Sequence, residues 1–154
     1  MPSDADCVVV GASFAGLASA LALARAQVRV TVLEKKADPG AKLHTTGIIV
    51  KDAVDQIALL DTLPTTLLRR ISGVRLYAPN LKFVDLDAPG YYFLATATPA
   101  VMRWLASETE RAGAKIAYQT AFTQARRLQS GFEVEGFGTT RFPGQTRVQD
   151  QAEQ

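Results

Sequence analysis

Hydrophobic and polar positions alternate along this chain in blocks of strand and helix length. Residues 6–10 (DCVVV) and 28–34 (VRVTVLE) are dominated by valine. Both read as strands buried on two faces, as in a parallel sheet covered by helices. Between them, Phe14 to Ala26 is dense in alanine and leucine, residues that favour helix. Together the three segments predict a β-turn-α-β unit. A polar loop follows over 35–47 (KKADPGAKLHTTG), with turn chemistry at Asp38-Pro39-Gly40. Helical spacing over 50–60 then sets Val50, Val54, Ile57 and Leu60 on one side.

The second half reads in shorter blocks. Residues 71–78 (ISGVRLYA) and 81–87 (LKFVDLD) predict an antiparallel hairpin about Pro79-Asn80, and Tyr91–Leu94 a further strand. Pro99 suits the first turn of a helix over 99–112 that turns Val101, Trp104, Leu105 and Ala112 to a core and ends at Gly113. Lys115–Tyr118 is the next strand, and 121–128 with 132–136 make a second hairpin about Ser130-Gly131. After Phe142 the only aliphatic residue besides alanine is Val148, so 143–154 is expected to be a disordered tail behind a domain of residues 1–142.

Composition narrows the class. A chain of 154 residues, 47% hydrophobic and 21% charged, suits one globular domain. A formal net charge of +2 with no dense basic cluster argues against nucleic acid as a partner. Cys7 is the only cysteine and is expected to be a buried spacer, which excludes an intrachain disulfide and suits a reducing cytoplasm. The apolar run from Val8 to Ala24 follows Asp4 and Asp6 and is interrupted by Gly11, Ser13 and Gly16. It is therefore neither a signal peptide nor an integral membrane segment, and a cytoplasmic location is expected.

The chemistry concentrates in VVVGASFAG, residues 8–16. Gly11-Ala12-Ser13-Phe14-Ala15-Gly16 is a dinucleotide-binding fingerprint with serine at its second glycine. Gly11 permits the sharp strand-to-helix turn, and Gly16 lets the helix approach the strand. The helix start, at Phe14 and Ala15, offers free amides and a partial positive charge to phosphates. Ser13 adds a small hydroxyl within reach of a phosphate, at a position where the backbone conformation could suit glycine better. Glu34 ends the second strand 23 residues after Gly11. A carboxylate there accepts hydrogen bonds from ribose hydroxyls and repels a 2′-phosphate. The expected fold is thus α/β, a Rossmann-like domain with a parallel sheet plus antiparallel hairpins.

DADCVVVGASFAGLASALALARAQVRVTVLEKK resembles the N-terminal FAD-binding segment of flavoprotein oxidoreductases of the geranylgeranyl reductase and aromatic hydroxylase type. DPGAKLHTTGIIVKDA is similar to their loop of the kind G-x-K…G, and YYFLATATPAVMRWLASETERAGAKI to their helix and following strand. The resemblance spans roughly 5–142. It implies FAD in an extended conformation, with ADP over Gly11–Gly16, the ribose on Glu34 and the isoalloxazine near Thr45–Gly47. It also implies reduction by NAD(P)H, followed by hydride transfer or oxygen activation, as a reductase or a monooxygenase. By position, Lys42 would meet the pyrophosphate, Lys35 would flank adenine, and Thr45, Thr46 and Gly47 would contact the flavin.

The chain departs from that family in two places. Ala95-Thr96-Ala97-Thr98 stands where many members carry an arginine, and no glycine-aspartate motif follows the last hairpin. The expectation is therefore the front part of a larger flavoprotein, whether a truncated gene, a frameshifted frame or a genuine short form. Two rival readings stay open: a non-catalytic remnant or partner-binding module holding ADP-like nucleotides weakly, and NAD binding without flavin. His44 is the only histidine and reads as solvated; no metal-ligand spacing and no Ser/His/Asp set is present, so no catalytic residue is assigned.

Overall fold

The computed structural model describes residues 5–129, 131–138 and 146–148. In chain order the elements are β1 (Cys7–Val10), α1 (Phe14–Arg25), β2 (Val30–Leu33), β3 (Ile48–Val50), α2 (Lys51–Gln56), β4 (Leu68–Ile71), β5 (Gly73–Tyr77), β6 (Phe83–Asp87), β7 (Phe93–Thr96), α3 (Thr98–Arg111), β8 (Lys115–Ala117), β9 (Thr120–Arg127), β10 (Phe132–Gly138) and β11 (Thr146–Val148). Two short 3₁₀ turns, Ala58–Thr62 and Thr65–Leu67, lie between α2 and β4. The chain divides into two compact units, one built from residues up to Ala41 and from Met102 onward, the other from Lys42–Val101. The loop after β2 leads into the second unit, whose sheet has its own strand pairing.

In the first unit β1, β2 and β8 form a parallel sheet in the order β1-β2-β8. Val8 pairs with Thr31, and Val32 with Ile116. Every residue of β2 is buried, which explains its uninterrupted apolar sequence. Strand β1 is the edge among the described strands, so its residues are half-buried and Val10 is exposed. Cys7 is accordingly half-buried, not the buried spacer expected, and desolvation raises its thiol pKa. Leu17, Ala20, Leu21 and Ala24 of α1 are buried, as the i, i+3, i+4, i+7 spacing requires. On α3, Met102, Leu105, Ala106 and Thr109 are buried, while Trp104 and Ala112 are only half-buried. The Thr109 hydroxyl donates to the Leu105 and Leu17 carbonyls, at 2.8 and 3.3 Å, and so ties α3 to α1.

Strands β9, β10 and β11 form an antiparallel sheet. The strand β11 is a correction to the tail expected over 143–154: Thr146 pairs with Val134, and Val148 with Phe132. Composition undervalued a three-residue strand whose partner is supplied by tertiary structure. The other residues of 143–154 lie outside the described residues.

In the second unit β3-β7-β4 form one antiparallel sheet and β5-β6 a hairpin. Residues 50–60, read as one helix, instead divide into the end of β3, the short α2 and a 3₁₀ turn. Val50 pairs with Phe93, so it belongs to a strand. β4 also escaped the pattern, because LRRI places two arginines on a four-residue edge strand.

Candidate functional site

The turn after β1 is fixed by backbone chemistry. Gly11 has φ +94°, in the left-handed region that glycine alone enters without strain. Its N–H donates to the Leu33 carbonyl at 2.8 Å, closing the turn onto β2. A Cβ on Gly16 would fall on the Gly11 carbonyl oxygen and lie 3.4 Å from Val9 Cγ1, so α1 reaches this close to β1 only because residue 16 is glycine.

Ser13 is the N-cap of α1, with φ −76° and ψ 173°, an extended conformation open to any residue. Replacing the second glycine therefore introduces no backbone strain here. The Ser13 Oγ accepts from the Gly16 N–H at 3.2 Å, satisfying one of the helix's orphan donors. Helix geometry leaves the amides of Phe14 and Ala15 without intrahelical acceptors. Ser13, Phe14 and Ala15 are exposed, and no acidic residue occupies the first turn. The helix start is thus an anion-accepting surface of the kind that holds a pyrophosphate.

Glu34 is only 4% exposed. One carboxylate oxygen accepts from the Ala12 N–H at 2.7 Å and the other from the Lys36 N–H at 2.8 Å. Its carbonyl accepts from Thr120 and its N–H donates to Ala117, both at 2.9 Å. The carboxylate therefore joins the phosphate loop to the end of β2. Each oxygen retains further acceptor capacity, so this role is compatible with a ribose hydroxyl as an additional donor. These features fit the ADP half of a dinucleotide.

The surroundings of Glu34 add residues that spacing did not single out. Lys36, not the exposed Lys35, anchors the loop: its Nζ donates to the Ala41 carbonyl at 3.0 Å. Asp38 accepts a bidentate pair from Arg103 on α3, at 3.0 and 2.6 Å, and that guanidinium with the Gly40 amide lowers its carboxyl pKa. Burial raises the phenol pKa of Tyr118, and the Glu110, Asp38 and Glu34 carboxylates add to the shift. The β2–β8 pairing, with Leu33 opposite Ala117, brings Tyr118 towards Glu34; no sequence spacing reports it.

In the second unit Lys42 has φ 48° and is exposed, as are His44, Thr45 and Thr46. The Thr45 hydroxyl accepts from the Gly47 N–H at 3.3 Å. Gly47 has φ +68°, and its carbonyl accepts from the Thr96 N–H at 2.8 Å and the Thr96 hydroxyl at 3.1 Å. A Cβ on Gly47 would collide with Thr98 Oγ1. The Ala95–Thr98 stretch therefore has a local task that the sequence did not reveal: its two threonines, 2.7 Å apart, hold the Gly47 turn.

Comparison with known proteins agrees with this geometry. The family model of FAD dependent oxidoreductases matches residues 6–150. A probable electron transfer flavoprotein-quinone oxidoreductase of Escherichia coli, YgcN, is 32% identical over 117 residues, 73% of this chain and 27% of that protein. An uncharacterized protein from the nifH2 5′ region of Methanosarcina barkeri is 31% identical over 129 residues, covering 77% of this chain and 67% of its own length. Among solved structures, a geranylgeranyl bacteriochlorophyll reductase-like protein of Thermoplasma acidophilum shares the fold with a TM-score of 0.77 at 16% identity, over 97% of this chain and 38% of its own. The p-nitrophenol 4-monooxygenase PnpA of Pseudomonas putida does so with a TM-score of 0.75 at 21% identity, over 95% and 39%. The chain thus spans about a quarter of the Escherichia coli relative and about two fifths of these two structures. With a glycine-forced phosphate turn, a carboxylate locked beneath it and a family match over nearly its whole length, the chain belongs to the FAD dependent oxidoreductases.

Proposed function

We propose that the first unit binds the ADP half of FAD on the β1–α1 turn and that the assembled enzyme is an NAD(P)H-dependent reductase or monooxygenase. The observation that carries the nucleotide reading is Glu34 bonded to the Ala12 amide at 2.7 Å, which draws carboxylate and phosphate loop together. In this reading the Phe14 and Ala15 amides take the pyrophosphate, Ser13 caps the helix beneath it, and Glu34 accepts from the ribose while its charge disfavours a 2′-phosphate. Bound FAD would supply hydride transfer or oxygen activation; the protein supplies position and electrostatics. Lys35 beside the adenine and Lys42, Thr45, Thr46 and Gly47 as flavin contacts follow from the family resemblance and form part of the same proposal. So does a cytoplasmic location, on the single cysteine; among the described residues no helix is long and apolar enough to cross a membrane.

The test is the visible spectrum of the purified chain, followed by titration with FAD. Oxidised-flavin bands at near-unit stoichiometry, or saturable uptake of added FAD weakened by Glu34→Ala, is the expected result. A colourless chain that takes up no FAD would overturn the proposal for this chain.

A further inference from the structure

Residues 35–41 form neither helix nor strand, so contacts of side chains and backbone must hold this loop in place. Lys36 secures its first half. Its N–H donates to one Glu34 carboxylate oxygen at 2.8 Å, and its carbonyl accepts from the Gln119 N–H at 3.1 Å. Its Nζ donates to the Pro39 and Ala41 carbonyls at 3.4 and 3.0 Å. Asp38 secures the second half. Its Oδ1 accepts from the Gly40 N–H at 2.8 Å and its carbonyl from the Ala41 N–H at 3.1 Å. Pro39 fixes its own φ and restricts Asp38 before it, and Pro39 and Gly40 are buried.

The Asp38 carboxylate also binds a helix. Arg103 on α3 donates from Nε to Oδ1 at 3.0 Å and from Nη2 to Oδ2 at 2.6 Å, a two-pronged bond that fixes orientation as well as distance. Helix α3 is a firm support, because Met102, Leu105, Ala106 and Thr109 are buried and the Thr109 hydroxyl donates to the Leu17 carbonyl of α1. α1 is the helix whose start carries the Phe14 and Ala15 amides. One frame therefore holds the phosphate turn, the loop and Glu34. The Asp38 and Arg103 side chains are exposed, and an exposed pair adds little to global stability. Its effect is local: it sets where the loop stands.

We infer that Asp38 and Arg103 are positioning residues for the bound nucleotide: the pair clamps the loop so that the Lys36 amide stays on Glu34 and the carboxylate stays set for the ribose. The inference rests on the placement of the ADP half proposed above, with Glu34 as the ribose acceptor. A loop fixed before binding spares the ligand the cost of ordering it, and apparent affinity falls with the fraction of chains in which the loop is in place. The sign of one substitution separates this role from simple charge. Asp38→Asn removes a negative charge near an anionic ligand, so charge alone would tighten binding. Loss of the clamp weakens it. The asparagine side chain still offers Oδ1 to the Gly40 amide, so the turn itself survives.

The test is isothermal titration of the full chain with FAD and with ADP. Asp38→Asn and Arg103→Gln are each expected to weaken both ligands about two- to fivefold, with Tm within about 4 °C of wild type. A pair that only stabilised the fold would lower Tm and leave the affinity of the folded chain unchanged. Hydrogen exchange of the ligand-free chain should show the Lys36 amide opening about two- to fivefold faster in both variants. Wild type that binds neither ligand would remove the nucleotide reading and this inference with it. Wild type that binds while Asp38→Asn binds equally or more tightly would overturn this inference alone. So would a loss seen with FAD but not with ADP, or weakened binding with unchanged exchange at Lys36.

Discussion

Glu34 makes a prediction that can be worked through before any cofactor is added. Replacing it with alanine removes the acceptors of two backbone amides, Ala12 at 2.7 Å in a buried setting and Lys36 at 2.8 Å in a partly buried one. A buried amide left without its partner costs about 1–3 kcal/mol, and a partly solvated one costs less, so Glu34→Ala is expected to lose about 2–4 kcal/mol. Glu34→Gln keeps one accepting oxygen but turns an NH₂ toward the second amide, which sets its loss at about 1–3 kcal/mol. In a chain of this size each kcal/mol lowers Tm by about 2–4 °C. Differential scanning fluorimetry of the nucleotide-free protein should therefore show Glu34→Ala about 4–16 °C below wild type, with Glu34→Gln between them. If both variants melt with wild type, the carboxylate does not lock the loop and the structural reasoning fails. The same variants titrated with FAD should bind more weakly, since ligand stabilisation follows the affinity of the folded state alone.

Other predictions concern single backbone positions and one titration. Gly16→Ala forces a Cβ onto the rigid Gly11 carbonyl and should cost about 1–3 kcal/mol or more by thermal melting. Gly11→Ala, with φ +94° but nothing within 4 Å of the new Cβ, should cost only the conformational penalty of about 1–2 kcal/mol. Gly47→Ala combines both faults, φ +68° and a collision with Thr98, and Thr98→Ala in the same chain should recover part of the lost Tm. The Arg29 guanidinium, hydrogen-bonded to Asp6, lowers that carboxyl from 3.8 to about 2. A folded pKa below the unfolded one gives a contribution present above about pH 4 and lost as pH falls through about 2. The stability difference between wild type and Asp6→Asn, from urea titrations at successive pH values, should thus shrink between about pH 4 and pH 2.

Much of the nucleotide half was legible because its determinants are local. Gly11, Gly16 and the valine-rich strands obey rules of backbone freedom and periodicity that a short window contains, and Glu34 is marked by its distance from Gly11. Elements whose stability comes from a distant partner were less legible. Val50 reads as the start of a helix because the residues after it have helical spacing, and only its pairing with Phe93 of β7 makes it the end of a strand. The helix over 50–60 failed for the same reason, and β11 has too few residues to announce itself.

By itself the sequence determined the β-turn-α-β unit, the sharp turn at Gly11, the cofactor class and an antiparallel hairpin from strands read at 71–78 and 81–87, since each follows from residue type and short-range spacing. Tertiary structure alone decided what the polar groups of these segments do. It turned Ser13 into a helix cap, gave both oxygens of Glu34 to backbone amides, drew Arg103 to Asp38 across 65 residues and made Thr96 and Thr98 the support of Gly47. It also leaves β5 and β6 exposed among the described residues. Hydrogen-bond partners and solvent exposure depend on which segments the fold brings together, and no local pattern encodes that.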